Sequence, residues 1–242
     1  MIRIILIIIL TIGIPKFSIA QKGALKPKAG FFVKFKDAVT PYSIQAVFLK
    51  PGQELRYETL FEDDFTNYVS HSKHGSIENK GPNKWIFYAP TEQGIYDVVV
   101  KNQKLKDSMI LKCMVVTPLN EIKNGKVNGF KTGNYPTSKN AMYKLPIGLV
   151  KVTSKNQYTH VSPNFILKDF LCKQAGGFPK YVVISEKLLL KLEMILEKVN
   201  DAGINAKKFT IMSGYRTPFY NKAIGNVKYS RHQYGDAADI FI

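Results

Sequence analysis

Residues 209–242 run FTIMSGYRTPFYNKAIGNVKYSRHQYGDAADIFI. The apolar residues 209–212 predict one buried strand, and residues 237–242 predict a second. Two polar clusters lie close to these strands: SGYRTP at residues 213–218 and SRHQYGDAAD at residues 230–239. Because the clusters occupy the connection between the predicted strands, their side chains are the candidates for chemistry.

The second cluster contains a candidate pair of metal ligands. His232 and Asp239 are seven residues apart, and an imidazole nitrogen and a carboxylate oxygen are both zinc ligands. Gly235 would let the backbone turn or approach a neighbour closely. The small Ala237 and Ala238 would let the following strand pack tightly. Taken alone, the His and Asp could equally be a buried hydrogen-bonded pair.

The two clusters together resemble a known family. The second cluster fits the signature S-x-H-x-x-G-x-A-x-D of the zinc D-alanyl-D-alanine carboxypeptidases, which include VanX-type dipeptidases and L,D-carboxypeptidases, through Ser230, His232, Gly235, Ala237 and Asp239. Residues 213–217, SGYRT, fit that family's upstream element S-G-[YF]-R-[ST]. The resemblance extends more weakly from about residue 165 to the last residue, so it covers the second domain and not the first.

The resemblance implies roles for five side chains. His232 and Asp239 would hold Zn2+, and Arg216 would act as the catalytic anion clamp beside the substrate carbonyl or carboxylate. Tyr215 and Ser230 would contact the substrate with Arg216. A guanidinium can pair with a carboxylate or stabilise an oxyanion, and zinc lowers the pKa of its bound water. The alternative for Arg216 is a surface salt bridge.

The sequence departs from the family's pattern in one respect. The family's third ligand, a His, and its catalytic acid or base come further along the chain, whereas a hydrolytic zinc site normally has three protein ligands and a water. His71 and His74 lie in a predicted polar loop, and His160 precedes the first helix of the second domain. We expect these three to be solvated. We therefore expect the second domain to be truncated and the native reading frame to continue past Ile242.

The rest of the second domain, residues 142–242, is predicted to be scaffold. Residues 164–172 predict a short helix with Phe165 and Phe170 facing inward. A longer helix would begin at the cap Ser185 and end at Gly203. Its apolar residues recur at three- and four-residue steps, namely Leu188, Leu189, Leu192, Ile195, Leu196 and Val199. The acidic residues on that helix, Glu186, Glu193 and Glu197, are predicted to form its solvated face.

The first domain, residues 27–118, has the pattern of an all-β sandwich. Short β segments are predicted at residues 31–35, 43–49, 54–60, 85–88, 96–100 and 109–116. The hairpin of residues 85–100 resembles the later strands of immunoglobulin-like modules in bacterial surface proteins. Residues 119–141 are rich in Gly, Asn, Lys, Pro and Thr and lack an apolar period, which predicts a linker or an extended arm.

The first twenty residues decide the predicted compartment. A short basic start, an apolar run and small residues at positions 18 and 20 are typical of a signal peptide. The run is too short for a comfortable membrane span, so no transmembrane segment is expected after cleavage. Cys113 and Cys172 are interpreted as two buried thiols, although a single bridge between them is possible in an oxidising compartment.

The formal charge of +17 favours polyanionic partners. Secretion makes anionic cell-wall polymers the expected ones and opposes nucleic acid, although evenly spread lysines are also typical of a merely solvated surface. The sequence thus predicts an α+β zinc-peptidase domain behind an immunoglobulin-like sandwich, secreted to the periplasm or cell surface and acting on peptidoglycan peptides. The alternative is a non-catalytic cell-wall-binding or adhesion protein that keeps the peptidase fold.

Overall fold

A computed structural model describes residues 27–60 and 68–242. The predicted signal peptide, residues 1–20, lies outside the described residues. No helix in the described part of the chain is long and apolar enough to cross a membrane. Overall the structure is rich in sheet and has few helices.

The first part of the chain folds into two sheets. Its strands are, in chain order, β1 (Lys28–Phe35), β2 (Ala38–Tyr42), β3 (Ile44–Leu49), β4 (Glu54–Leu60), β5 (Tyr68–Ser72), β6 (Ser76–Asn79), β7 (Lys84–Tyr88), β8 (Gly94–Asn102) and β9 (Asp107–Val115). One sheet has the order β2-β1-β4-β7-β6 and the other β3-β9-β8-β5. The pairing of β3 with β9 is parallel, and the neighbouring pairs are antiparallel.

Alternating burial explains why these segments form sheets. In β1 every second residue is buried, including Phe31, Val33 and Phe35, and the residues between them face outward. These side chains share one core with Trp85, Phe87 and residues of β8 and β9. Strands occur at all six predicted positions. The immunoglobulin-like character of this part stays a prediction.

The sequence did not predict β2, β5 or β6. Strands β5 and β6 contain no fully buried residue and are largely polar, so the alternation of apolar residues that predicts a strand is weak there. The prediction that His71 lies in a loop is therefore wrong, because it lies on β5. Its side chain is nevertheless exposed, and so is that of His74.

The second part of the chain has fewer and shorter elements. They are β10 (Thr117–Pro118), β11 (Lys126–Val127), β12 (Phe130–Lys131), β13 (Gly148–Val152), β14 (Lys180–Val182), α1 (Glu186–Asp201), β15 (Thr210–Ser213), α2 (Pro218–Ala223) and β16 (Asp239–Phe241). Strands β10, β13 and β14 form a three-stranded sheet, and β11–β12 and β15–β16 form separate pairs. The short helix predicted at residues 164–172 is a 3-10 turn, Leu167–Phe170, with Phe165 and Phe170 buried.

The predicted linker, residues 119–141, carries the hairpin β11–β12. Val127 and Phe130 are buried in the core of the second part, so this stretch packs against that part. The same core includes Phe48 and Met114 from β3 and β9. Side chains of the two parts therefore share apolar contacts. The domain boundary stays a prediction.

Helix α1 begins and ends as the sequence predicts. The Ser185 side chain accepts a hydrogen bond from the backbone nitrogen of Leu188, which satisfies one of the free donors of the first turn. Its leucines pack into the core. Glu186 accepts hydrogen bonds from the Lys36 ammonium and the Phe48 backbone nitrogen, so this carboxylate connects the helix to the first part of the chain.

The prediction that Glu193 lies on a solvated face is wrong. Its side chain is 1% exposed and accepts hydrogen bonds from the Ser162 hydroxyl at 2.5 Å and the Asn164 backbone nitrogen at 2.9 Å. The Asn164 side-chain amide donates a third bond at 2.6 Å. Helical spacing could not predict this, because the donors come from a loop about thirty residues before Glu193.

We expect Glu193→Ala to lower the free energy of unfolding by about 2–4 kcal/mol, because it leaves several buried donors without a partner. Chemical denaturation followed by circular dichroism measures this. Lys198→Ala on the same helix is the control, since that ammonium is exposed, and it should change the free energy by less than about 0.5 kcal/mol. Equal effects of the two substitutions would contradict the role of Glu193.

Candidate active site

The pairing of β15 with β16 brings the two sequence clusters together. The strands are antiparallel, and Ser213 lies opposite Asp239. Arg216 follows the end of β15, and Asp239 begins β16, so both lie at the same end of the hairpin. The prediction that both strands are buried is wrong in part, because Met212 is 52% and Phe241 66% exposed.

The segment between the strands folds through two short turns. Thr217 caps α2 by accepting a hydrogen bond from the Tyr220 backbone nitrogen, and Pro218 occupies the first helical position, where its missing N–H costs nothing. The segment Arg231–Tyr234 then forms a 3-10 turn that ends at Gly235. His232 therefore lies on a tight turn.

Arg216 is held by both clusters. Its Nε donates a hydrogen bond to the Ser213 hydroxyl at 2.9 Å, and its Nη2 donates to Oδ2 of Asp239 at 2.8 Å. The Arg216 side chain is 15% exposed, whereas that of Asp239 is 55% exposed. The guanidinium is therefore fixed in direction, and the carboxylate remains open to solvent on one side.

His232 faces the other oxygen of the same carboxylate. Its Nδ1 lies 2.7 Å from the Gly214 carbonyl oxygen, and only a protonated Nδ1 can donate to that acceptor. In the neutral ring Nε2 then carries a lone pair, and it lies 3.4 Å from Oδ1 of Asp239. Two electron-rich atoms at this distance repel unless a proton or a cation lies between them. The nitrogen of His232 and the oxygen of Asp239 are therefore suited to hold a metal ion such as zinc between them.

The predicted site residues do not complete a three-ligand set within the described structure. In residues 27–60 and 68–242, no group of three or more His, Cys, Asp or Glu side chains could hold a metal ion. His160, which was predicted to be solvated, is half-buried, and its Nδ1 lies 3.3 Å from the Ser162 carbonyl oxygen. The two cysteines are both buried and free.

Tyr215 and Ser230, predicted to contact the substrate, are both buried. Tyr215 is 2% and Ser230 7% exposed. The Tyr215 hydroxyl lies 2.5 Å from that of Tyr135, and burial raises the pKa of Tyr215 well above its usual value. Tyr215 is thus a neutral phenol paired with Tyr135. A role of either residue in substrate binding stays a prediction.

Residues 134–143, which we call the tyrosine arm, support the site, and this role was not predicted from the sequence. Tyr143 packs against Tyr229 and Tyr234 at centroid distances of 5.1 and 5.5 Å, and the hydroxyl of Tyr234 donates to the Pro136 carbonyl oxygen. Aromatic residues in an otherwise polar segment are the signal that could have indicated this packing.

Arg231 and Asp236, at the two ends of the His232 turn, form a second ion pair. Burial raises the pKa of Asp236, and the charge of Arg231 opposes that shift. Arg231 also donates to the Met142 carbonyl oxygen and lies over the Tyr143 ring. This pair therefore joins the His232 turn to the tyrosine arm.

Gly235 is required by the close packing of the His232 turn. Its φ of +71° is in the left-handed region, and an added Cβ would lie 2.6 Å from the carbonyl carbon and oxygen of Val183. The backbone of Gly235 also accepts a hydrogen bond from the Ser185 nitrogen at 2.8 Å. The turn thus rests directly on the strand end that leads into α1.

We expect Gly235→Ala to lower the free energy of unfolding by about 2–4 kcal/mol, the sum of a left-handed backbone penalty and an overpacking penalty. Gly225→Ala is the matched control: its φ is +68°, but nothing lies within 4 Å of an added Cβ. It should cost only about 1–2 kcal/mol. Urea denaturation of both variants measures the difference, and equal values would show that close contact at Gly235 is unimportant.

A cleft of about 420 Å³ opens beside this cluster. Arg216 and Asp239 line it together with Tyr215, Tyr220 and Lys173. The Arg216 guanidinium and the candidate metal ligand Asp239 therefore line the same cleft.

The comparisons with known proteins concern this part of the chain. Residues 153–242 match a family model described as Peptidase M15. No curated protein and no solved structure matches the chain. The matched segment contains Arg216, His232 and Asp239, whose side chains meet at one end of the β15–β16 hairpin. Residues 153–242 are therefore similar to the M15 peptidases, which are generally zinc-dependent.

Proposed function

We propose that this protein is a zinc-dependent peptidase that hydrolyses an amide bond in peptidoglycan peptides, as a D-alanyl-D-alanine or L,D-carboxypeptidase. The observation that carries the proposal is the meeting of His232, Asp239 and Arg216 within a segment that matches M15 peptidases. Arg216 and Asp239 line one cleft, and the His232 ring lies against the Asp239 carboxylate.

His232 and Asp239 would hold the zinc ion. The hydrogen bond from Nδ1 to the Gly214 carbonyl orients the ring and leaves Nε2 as the ligand atom, as in many metal sites. When bound, zinc would polarise the substrate carbonyl and lower the pKa of a bound water. Asp239 needs no rearrangement of its backbone to take part, since Oδ1 already faces the imidazole.

Arg216 would bind the anionic part of the reacting group. Its guanidinium has five donors, of which the structure uses Nε on Ser213 and Nη2 on Asp239. The remaining donors can pair with a substrate carboxylate or with the oxyanion that forms on attack. Ser213 and Asp239 thus act as positioning residues for this clamp.

Secretion to the periplasm or cell surface is part of the proposal. The signal-peptide pattern of residues 1–20 and the charge of +17 support it, because a basic protein in that compartment is attracted to anionic wall polymers. The first part of the chain would then position the enzyme at the wall or space it from it.

A non-catalytic cell-wall-binding or adhesion protein is the second candidate. It is favoured by the presence of two, rather than three, metal ligands at the site within the described residues. In that case the Arg216–Asp239 ion pair would be structural.

Incubation of zinc-loaded protein with soluble peptidoglycan peptides tests the two candidates. Mass spectrometry should detect release of a terminal D-amino acid that stops with a chelator and returns with zinc. His232→Ala should release none. Retention of the intact peptides on the protein, with no cleavage at any zinc concentration, would support the non-catalytic candidate instead.

A further inference from the structure

A second cleft of about 550 Å³ adjoins the candidate active site. Tyr220 lines both clefts, so the two clefts share this side chain as a common wall. The exposed loop of residues 175–178 forms one wall of the second cleft, and the hairpin turn of residues 128–131 forms the other. Phe219 lies between them. We call this second cleft the side groove.

The walls of the side groove are fixed to the Arg216 segment by one buried amide. Gln174 is 6% exposed. Its Oε1 accepts a hydrogen bond from the Thr217 hydroxyl at 2.5 Å, and its Nε2 donates to the Lys131 carbonyl oxygen at 3.0 Å. The Phe219 backbone nitrogen also donates to the Thr132 carbonyl oxygen at 2.9 Å. The groove is therefore preformed in a fixed position relative to Arg216.

The surface of the groove combines exposed rings with one cation. Phe178 is 40% and Phe219 42% exposed, although large aromatic side chains are usually covered. The Lys131 ammonium lies 5.3 Å from the Phe219 ring centroid, a position that holds the charge over the groove. Gly176 and Gly177 have open space where a Cβ would be, so a ligand backbone can approach that wall closely.

The charges of the two clefts favour an acidic ligand. Their charged lining residues are Lys131, Lys173, Arg216 and Asp239. The one carboxylate, Asp239, is already paired with Arg216. Lys131 and Lys173 therefore leave a local excess of positive charge, which attracts a carboxylate more strongly than a neutral group.

We infer that the side groove binds an acidic residue of the peptide substrate, several bonds from the reacting amide, with its carboxylate at Lys131 and its backbone against Phe178. This inference rests on the proposed function, because it takes the occupant to be the same peptide that reaches Arg216. The substrate class is thereby narrowed to peptides that carry a free side carboxylate before the scissile bond.

Two peptides that differ by one charge test the inference. They are L-Ala-γ-D-Glu-L-Lys-D-Ala-D-Ala and the same peptide with the free α-carboxyl of its glutamate converted to an amide. Calorimetric titration of the zinc-loaded whole chain should show about tenfold tighter binding of the free acid. Lys131→Glu should abolish that preference, and Phe178→Ala should weaken binding of both peptides. Lys155→Glu, an exposed lysine outside both clefts, makes the same change in net charge and should keep the preference.

The inference is wrong if wild-type protein binds both peptides equally or binds neither, or if Lys131→Glu behaves like Lys155→Glu. Zinc content and cleavage, measured on the same samples, separate this result from the proposed function. If the chain prefers the free acid but binds no zinc, the proposed peptidase function is wrong and the inference about the side groove stands. If cleavage depends on zinc but the two peptides bind equally, the inference about the side groove is wrong and the proposed peptidase function stands.

Discussion

Arg216→Ala is expected to lower kcat by about 100-fold or more in the hydrolytically active, zinc-loaded form of the protein, which is the scale seen when one oxyanion donor is lost. The guanidinium is 15% exposed and fixed by Ser213 and Asp239, so it is positioned before the substrate arrives. A preorganised donor acts mainly in the transition state, where negative charge develops. KM should therefore change less than kcat.

Arg216→Lys separates charge from geometry. Lysine keeps a positive charge but loses the planar pair of donors, and its ammonium cannot bond Ser213 and Asp239 as the guanidinium does. We expect only partial recovery of kcat relative to the alanine variant. Arg56→Ala is the control, because Arg56 is an exposed arginine of β4 and its loss should leave both constants unchanged.

Steady-state kinetics on a cell-wall peptide, with zinc content measured in every sample, makes the comparison. A raised KM with unchanged kcat would mean that Arg216 binds a carboxylate of the ground state rather than an oxyanion. Wild-type values of both constants in a zinc-loaded Arg216→Ala protein would remove this residue from the site.

The wild-type chain is expected to bind zinc measurably, and His232→Ala is expected to abolish that binding. The described residues bring two ligands together, so we expect the wild-type chain to bind zinc more weakly than a three-ligand site would. Removal of the imidazole then leaves a single exposed carboxylate, which also pairs with Arg216. Isothermal titration with zinc measures the loss.

His160→Ala is the matched control for that titration. His160 lies outside the cluster, and its ring nitrogen lies near the Ser162 carbonyl, so its removal should leave zinc affinity unchanged. Asp239→Asn should weaken zinc binding, because an amide is a poorer ligand than a carboxylate. Unchanged zinc binding in the His232→Ala protein would show that the ligand assignment is wrong.

The sequence predicted those parts of the fold that depend on local pattern. The alternation of β1 and the spacing of the leucines in α1 each define a buried face without knowledge of the neighbours. The polar strand β5 and the buried Glu193 could not be predicted in this way. Glu193 is buried because Ser162 and Asn164 supply donors to it, and such a contact between distant segments leaves no periodic signal.

The sequence indicated which residues belong to the candidate site, but it did not indicate the contacts among them. The two motifs indicated Arg216, His232 and Asp239, and the register of β15 with β16 explains why they meet. The ion pair between Arg216 and Asp239 was not predicted, because it depends on side-chain directions at the end of a two-stranded sheet. The tyrosine arm was also not predicted, since its aromatic residues make their contacts with residues about ninety positions later.

The tyrosine arm limits which domain replacements this protein could tolerate in evolution or in engineering. A fragment that begins at residue 153, where the family match begins, would lack Tyr135 and leave the buried Tyr215 hydroxyl without its partner. It would also lack Phe48 and Met114, which complete the core behind α1. We therefore expect that residues 153–242 alone would not form a stable folded domain. A chimera that replaces the first part of the chain would have to retain the arm and reproduce the apolar side chains that β3 and β9 contribute.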